Sequence, residues 1–364
     1  MKIKNVIDIL EELAPPSLQE SYDNAGLIVG NDNTDLTGVL ICLDSIEAVI
    51  DEAIEKKCNL VVAHHPIVFS GLKRLNGKNY IERVIIKAIK NDVAIYAIHT
   101  NLDNVLAGVN GKFADQLGLV NRRILAPKSG MLNKVTFYVP KANAEEVKGA
   151  VFKAGAGCIG NYSECSFSVE GIGTFKGNSN ANPHIGKVGE RHLENEIKVE
   201  VVCENYKLNK VIPALLSAHP YEEVAYDVYD LENSINIIGS GMVGELEKPM
   251  KSKEFLQLLK TKMNTECIRY TNLCKDEIKT IALCGGAGSF LLNNAKRAKA
   301  DIFITGDYKY HQFFDADNEI IIADIGHYES EQYTSELLKE YLTKKIIKFA
   351  VRLTEINTNP VNYI

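Results

Sequence analysis

Apolar and polar positions in the first third of the chain switch between two periods. Thr37–Leu43, Asn59–Ala63 and Val93–Ile98 are short runs rich in Val, Ile and Leu, the signature of strands buried on both faces. Between and after them, the segment from Ser45 to about Lys57, Asn79–Asn91 and Val109–Leu117 place apolar residues at helical spacing, with Ser45 expected to cap the first. The last third repeats the rhythm. Strands are predicted at Thr280–Cys284, Asp301–Thr305, Glu319–Ala323 and Ile346–Leu353, with helices at Ser289–Lys299 and from Tyr328 onward. Such alternation predicts an α/β fold, a mostly parallel sheet with helices on its faces.

The middle follows another order. Asn133–Val139 reads as a strand, and Asn143 with Glu146 forms a capping-box-like start to a helix ending at Gly155. Strands near Cys165–Thr174 and Ile197–Cys203, a helix near Lys210–Ala218 and a strand at Val224–Tyr229 complete the order βαββαβ, the ferredoxin-like arrangement. A polar loop, Gly177–Gly189, lies between the central strands. The expected organisation is therefore one α/β domain in two halves, residues 1–128 and 233–364, interrupted by an insert at 129–232.

Composition narrows the class. The chain has 364 residues, 46% hydrophobic and 24% charged, with a formal net charge of −6. That excludes a disordered chain or a small disulfide scaffold. It also gives no electrostatic reason to expect nucleic acid or an anionic membrane as partner. Asp8, Glu11 and Glu12 interrupt the first apolar positions, so the start reads as an amphipathic helix stopped by Pro15-Pro16 and not as a signal peptide. The eight cysteines form no CxxC and are expected to be reduced thiols in a cytoplasmic protein.

The chemistry gathers just past predicted strand ends, where open α/β sheets collect ligands. His64-His65-Pro66 closes the Asn59–Ala63 strand, His99 to Asp103 (HTNLD) follows the next, and His327 and Glu331, at i and i+4, follow Glu319–Ala323. Imidazole and carboxylate suit zinc-like metals. His64, His65, Asp103, His327 and Glu331, taken as past the ends of one sheet, make five ligands. That is one more than a structural tetrahedral zinc needs, and it suits two ions sharing a carboxylate and activating a water. His99 reads as a neighbour of the site or a hydrogen-bonded core residue more than as a ligand. His99, Asp307 and His311 are the candidates for proton transfer. Gly285, Gly286, Gly288 and Ser289, between a strand and a helix, read equally as an anion cradle for substrate or as close strand–helix packing. Gly239–Gly244 matches G-x-G-x-x-G only formally and reads as a bent strand, and Gly71–Lys78 departs from the P-loop spacing. His219 marks a helix stop, and His184 and His192 read as solvated.

Taken as a set, VVAHHP (61–66), HTNLD (99–103), CGGAGS (284–289), TGD (305–307) and DIGHYESE (324–331) resemble the Nif-three-like family, also called GTP cyclohydrolase 1 type 2 homologues. SYDNAGLIVG (21–30) and TNPV (358–361) fit as well, with Tyr22 where many members carry Trp. The segment ending HPYEEVAYDVY looks like the PII-like domain of longer members. The resemblance implies a dinuclear site of two divalent ions, zinc foremost with iron or manganese as alternatives. It implies that His65 and Asp103 hold one ion, His64 and His327 the other, and that Glu331 bridges. It further implies a homohexameric ring with the sites facing its interior. The expected function is a metal-dependent hydrolase of a nucleotide-like or phosphorylated small molecule. The alternative is a regulatory or scaffold ring that handles metal or binds an effector.

Overall fold

The computed structural model describes residues 1–364 and divides into two compact units, Met1–Pro127 with Asn236–Ile364, and Lys128–Ile235. The strands, in chain order, are β1 (Gly26–Val29), β2 (Val39–Cys42), β3 (Leu60–Ala63), β4 (Ala94–Ala97), β5 (Val120–Lys128), β6 (Leu132–Pro140), β7 (Ser166–Phe175), β8 (His192–Glu204) and β9 (Tyr226–Leu231). They continue with β10 (Ile235–Lys251), β11 (Arg269–Tyr270), β12 (Glu277–Ala287), β13 (Ile302–Gly306), β14 (Ile321–Asp324) and β15 (Val351–Leu353).

The first unit contains two sheets where the sequence pattern implied one. The first has the order β1-β4-β3-β2-β15, and the second β11-β14-β13-β12-β10-β5. In each, the strands visible as apolar runs pair in parallel, β4, β3, β2 and β15 in one and β12, β13 and β14 in the other. The strands without that pattern, β1, β10 and β11, pair antiparallel. The fold is thus mixed α/β with several sheets.

Both sheets bury both faces, which is why their central strands are uninterrupted apolar runs. Leu60 and Val62 pack into one cluster with the helix Ile3–Leu13, while Val61 and Ala63 pack into another with the helices Glu47–Glu55 and Tyr80–Lys90. In the second sheet Ile302 and Ile304 face one core and Phe303 the other.

Local signals differ in outcome. Asn79 caps its helix by accepting from Glu82 N at 2.9 Å. Ser45 does not cap: the helix begins at Glu47 after Ile46, and the Ser45 hydroxyl is buried without a partner. Asn143 precedes the helix Ala144–Lys153 with no capping bond, because its backbone is already helical at ψ −5°. The long helix expected from Tyr328 is two pieces, His327–Glu331 and Thr334–Lys345.

In the second unit, β6, the helix Ala144–Lys153, β7, β8, the helix Leu208–Ala218 and β9 follow in turn. Their sheet, β7-β8-β6-β9, is antiparallel throughout. Val135, Phe137, Val199 and Val201 pack against Val147, Val151, Val211 and Leu215 of the two helices. No helix of the chain is long and apolar enough to cross a membrane.

Candidate metal centre

Ends of strands from both sheets of the first unit line one cavity of about 830 Å³. At the end of β3 the ladder stops abruptly. The amides of His64 and His65 both donate to the Leu43 carbonyl, at 3.1 and 3.0 Å. Within a strand these neighbours would point to opposite faces. The turn instead tilts both rings toward one space, their centroids 4.8 Å apart. Asp103 comes from the single helical turn Thr100–Asp103 after β4. His327 and Glu331 sit one turn apart on the short helix after β14.

Each imidazole is held from behind. His64 Nδ1 meets the Ile98 carbonyl at 2.8 Å, His65 Nδ1 meets Asp44 at 2.8 Å, His99 Nδ1 meets Asp23 at 2.7 Å and His327 Nδ1 meets Asp307 at 2.8 Å. Such partners fix a ring's orientation and make the opposite nitrogen a better ligand.

The inward atoms form two groups sharing Glu331. His65 Nε2, His327 Nε2 and Glu331 Oε2 lie 3.0, 3.2 and 3.3 Å from one another. A tetrahedral ion about 2.0–2.1 Å from its ligands holds them roughly 3.3 Å apart, so this triangle already has the edge lengths of such a site. His64 Nε2 lies 3.7 Å from Asp103 Oδ1 and 3.8 Å from Glu331 Oε2. In that second group all three atoms are buried without a hydrogen bond of acceptable geometry. A buried imidazole nitrogen and a buried carboxylate oxygen without hydrogen bonds, His64 Nε2 and Asp103 Oδ1, beside the Glu331 carboxylate, are costly unless a cation joins them. The donor set therefore fits divalent metal. These distances join His65 with His327 and His64 with Asp103, which differs from the pairing implied by the family resemblance. The cause is the second sheet: His327 approaches from the side of His65.

The electrostatics agree. Burial works to lower the His65 pKa, but Asp44 and Glu331 outweigh it and raise it to about 10. Burial is likewise overcome at His327 by Glu331 and Asp307, which raise it to about 11. Asp103 is pushed up by burial and by the charge of Glu331. Glu331, though buried, is held well below the usual range by the imidazoles around it. Without metal, protons on the histidines balance these carboxylates.

The remaining candidates separate. The rings of His99 and His65 are 5.4 Å apart, and a ring nitrogen of His99 lies within 4.8 Å of the ligand atoms of His64 and His65. Asp307 orients His327. His311 is exposed, stacks on Tyr310 and lies outside the cavity lining. Between Gly285 and Ser289 the close-packing reading holds. Gly285 N donates to Asn110, Gly286 N to Ser330 and Gly288 N to Thr305, while Ser289 Oγ accepts from Gln312. The three glycine amides are therefore taken. Asp23 lies in the SYDNAGLIVG stretch (21–30) and Asp44 just past β2, but neither position signals its histidine partner. His192 pairs with Glu194, His184 is exposed, and His219 is tied to the Tyr138 carbonyl.

A family model, Duf34/NIF3 (NGG1p interacting factor 3), matches residues 1–360. A Bacillus subtilis protein named GTP cyclohydrolase 1 type 2 homolog is 39% identical over 371 residues, covering 99% of this chain and 98% of that one. The crystal structure of a Bacillus cereus protein related to NIF3 aligns at TM-score 0.87 and 36% identity, covering 100% of this chain and 99% of that one. A Staphylococcus aureus crystal structure aligns at TM-score 0.79 and 31% identity over 100% of this chain and 99% of that one.

Proposed function

The chain belongs to the Duf34/NIF3 family, and from that premise we propose that it binds two divalent ions at this centre and hydrolyses a nucleotide-like or phosphorylated small molecule. The observation that carries the proposal is the buried pair His64 Nε2 and Asp103 Oδ1, both without a hydrogen bond, beside the Glu331 carboxylate that the second group shares. Divalent ions there would supply Lewis acidity and lower the pKa of water near the substrate. His64 and Asp103 would hold one ion, His65 and His327 the other, and Glu331 both. Asp44 and Asp307 orient the second pair. The His99–Asp23 pair, which neither ion requires, stands ready at the cavity wall to move a proton. Zinc is the first expectation for the metal, with iron or manganese able to use the same donors.

Two finer readings accompany this. The strand order β9-β6-β8-β7 with two helices on one face supports a ferredoxin-like, PII-like identity for Lys128–Ile235. The family also favours a hexameric ring in the cytoplasm.

Elemental analysis of gently purified protein tests the centre. Two ions per chain are expected, with one or both lost in His64→Ala and in Glu331→Gln. Turnover of GTP and a panel of phosphoesters by the loaded protein tests the reaction. Equal residual rates in wild type and His65→Ala would sink the hydrolase reading.

A further inference from the structure

The cavity's charge and its aromatic rim narrow the substrate beyond the hydrolase reading, on which this step rests. Seven lining side chains are carboxylates, and Arg269 is the lone lysine or arginine among them. Two divalent ions and Arg269 would bring five positive charges to a wall built of seven carboxylates. A polyphosphate chain, carrying about four negative charges at neutral pH, would enter a field of its own sign.

The two ends of the cavity differ. At one end Tyr22 and Phe69 lie with ring centroids 6.2 Å apart, and Phe69 is 6.3 Å from His99. Both are lining residues, and they are 64% and 53% exposed. Exposed aromatics over a polar site offer a stacking surface for a planar ring. From there the rings run His99 to His65 at 5.4 Å and His65 to His327 at 5.2 Å, past both candidate ion positions. Beyond His327 and Asp307 lies Arg269. One of its guanidinium nitrogens, Nη2, donates to the Tyr308 carbonyl at 3.0 Å and to Asp324. Its other donors have no protein acceptor, its side chain is 55% exposed, and Phe313 packs 5.5 Å from it. Arginine fixed in this way presents its free edge to an anion.

We propose that the cavity selects a planar heteroaromatic compound with a single anionic group. Its ring lies on Tyr22 and Phe69, its reacting centre lies over the metal positions, and its anion lies at Arg269. Nucleoside triphosphates are then disfavoured, so the GTP in the relatives' name is not the preferred ligand of this chain.

The test is equilibrium binding of guanosine, GMP, GTP and glycerol phosphate to full-length protein whose metal content has first been measured. GMP is expected to bind at least tenfold tighter than GTP and than glycerol phosphate. Tyr22→Ala/Phe69→Ala should weaken guanosine and GMP about tenfold and leave glycerol phosphate unchanged. Both side chains are exposed, so folding is retained, and circular dichroism checks it. Arg269→Gln should erase the advantage of GMP over guanosine. GTP binding as tightly as GMP, or aromatic and Arg269 variants that change no ratio, would overturn the proposal. A protein that holds two ions but prefers GTP defeats this inference alone. A protein that holds none defeats the metal reading, while the aromatic and Arg269 ratios are still measurable.

Discussion

Four imidazoles, three of them lining the cavity and His64 buried behind it, have Nδ1 already bonded, and this arrangement ties metal binding to pH. In the metal-free chain His65 and His327 keep their protons up to about 10 and 11, against 6.5 for a free imidazole. Metal must displace those protons, so affinity rises with pH and about two protons are released near neutrality when the His65–His327 site is loaded. Titration calorimetry in buffers of different ionisation enthalpy reads that release directly, and a buffer-independent heat would refute it. The stability linkage has a definite sign. A raised histidine pKa stabilises the metal-free fold in full below 6.5, and that stabilisation disappears as pH climbs through 10 to 11. Asp44→Asn removes the charged partner of His65 and should weaken metal binding about 10–100-fold. Gly286 has φ +62°, and a Cβ there would lie 2.4 Å from Glu331 Oε1. Gly286→Ala should therefore cost about 1–3 kcal/mol of stability in denaturant unfolding and displace the shared carboxylate. The five proposed ligands were legible because histidine pairs after buried strands are chemically distinctive. Asp44 was not, being one among 47 acidic residues, and Asp23, though inside SYDNAGLIVG, was not readable as a partner of His99, because both pairings depend on the tertiary turn.

Elements were legible where local and tertiary demands agree. β3 and β4 are all-buried runs, too short for a helix and, in β3, rich in β-branched residues, so length and composition both favour a strand. Caps show the limit. Asn79 has the extended backbone, ψ 172°, that lets its side chain turn back to the helix. Asn143, at ψ −5°, does not. Asn79→Ala should cost about 1 kcal/mol in urea unfolding. Asn143→Ala should change stability far less, and Ser45→Ala, which removes a buried unpaired hydroxyl, should be neutral or stabilising. The partition into two sheets was not legible, because β1, β10 and β11 lack the uninterrupted apolar runs of the central strands and enter by antiparallel pairing. That partition bears on the proposed pairing: His64 and His65 follow a strand of one sheet and His327 a strand of the other, so sequence order alone does not say which histidines would share an ion.

At the scale of the whole chain, every proposed ligand lies in the unit Met1–Pro127 with Asn236–Ile364, and none in Lys128–Ile235. Metal bound to the folded state stabilises it by mass action, about 4 kcal/mol for each site at a thousandfold excess over Kd. Chelation should therefore lower the unfolding temperature of the larger unit and leave that of the smaller one unmoved, seen in calorimetry as two transitions of which one shifts. The same chelated sample distinguishes the two functions open to the centre. Divalent ions that serve hydrolysis lie at a cavity wall with positions left for substrate, so their removal should abolish turnover while light scattering reports an unchanged assembly mass. Ions that serve architecture would behave in the opposite way, and dissociation on chelation would count against the hydrolase. The geometry favours the first outcome. His64, His65 and His327 are braced by the Ile98 carbonyl, Asp44 and Asp307, so protein contacts of their own orient these walls of the cavity.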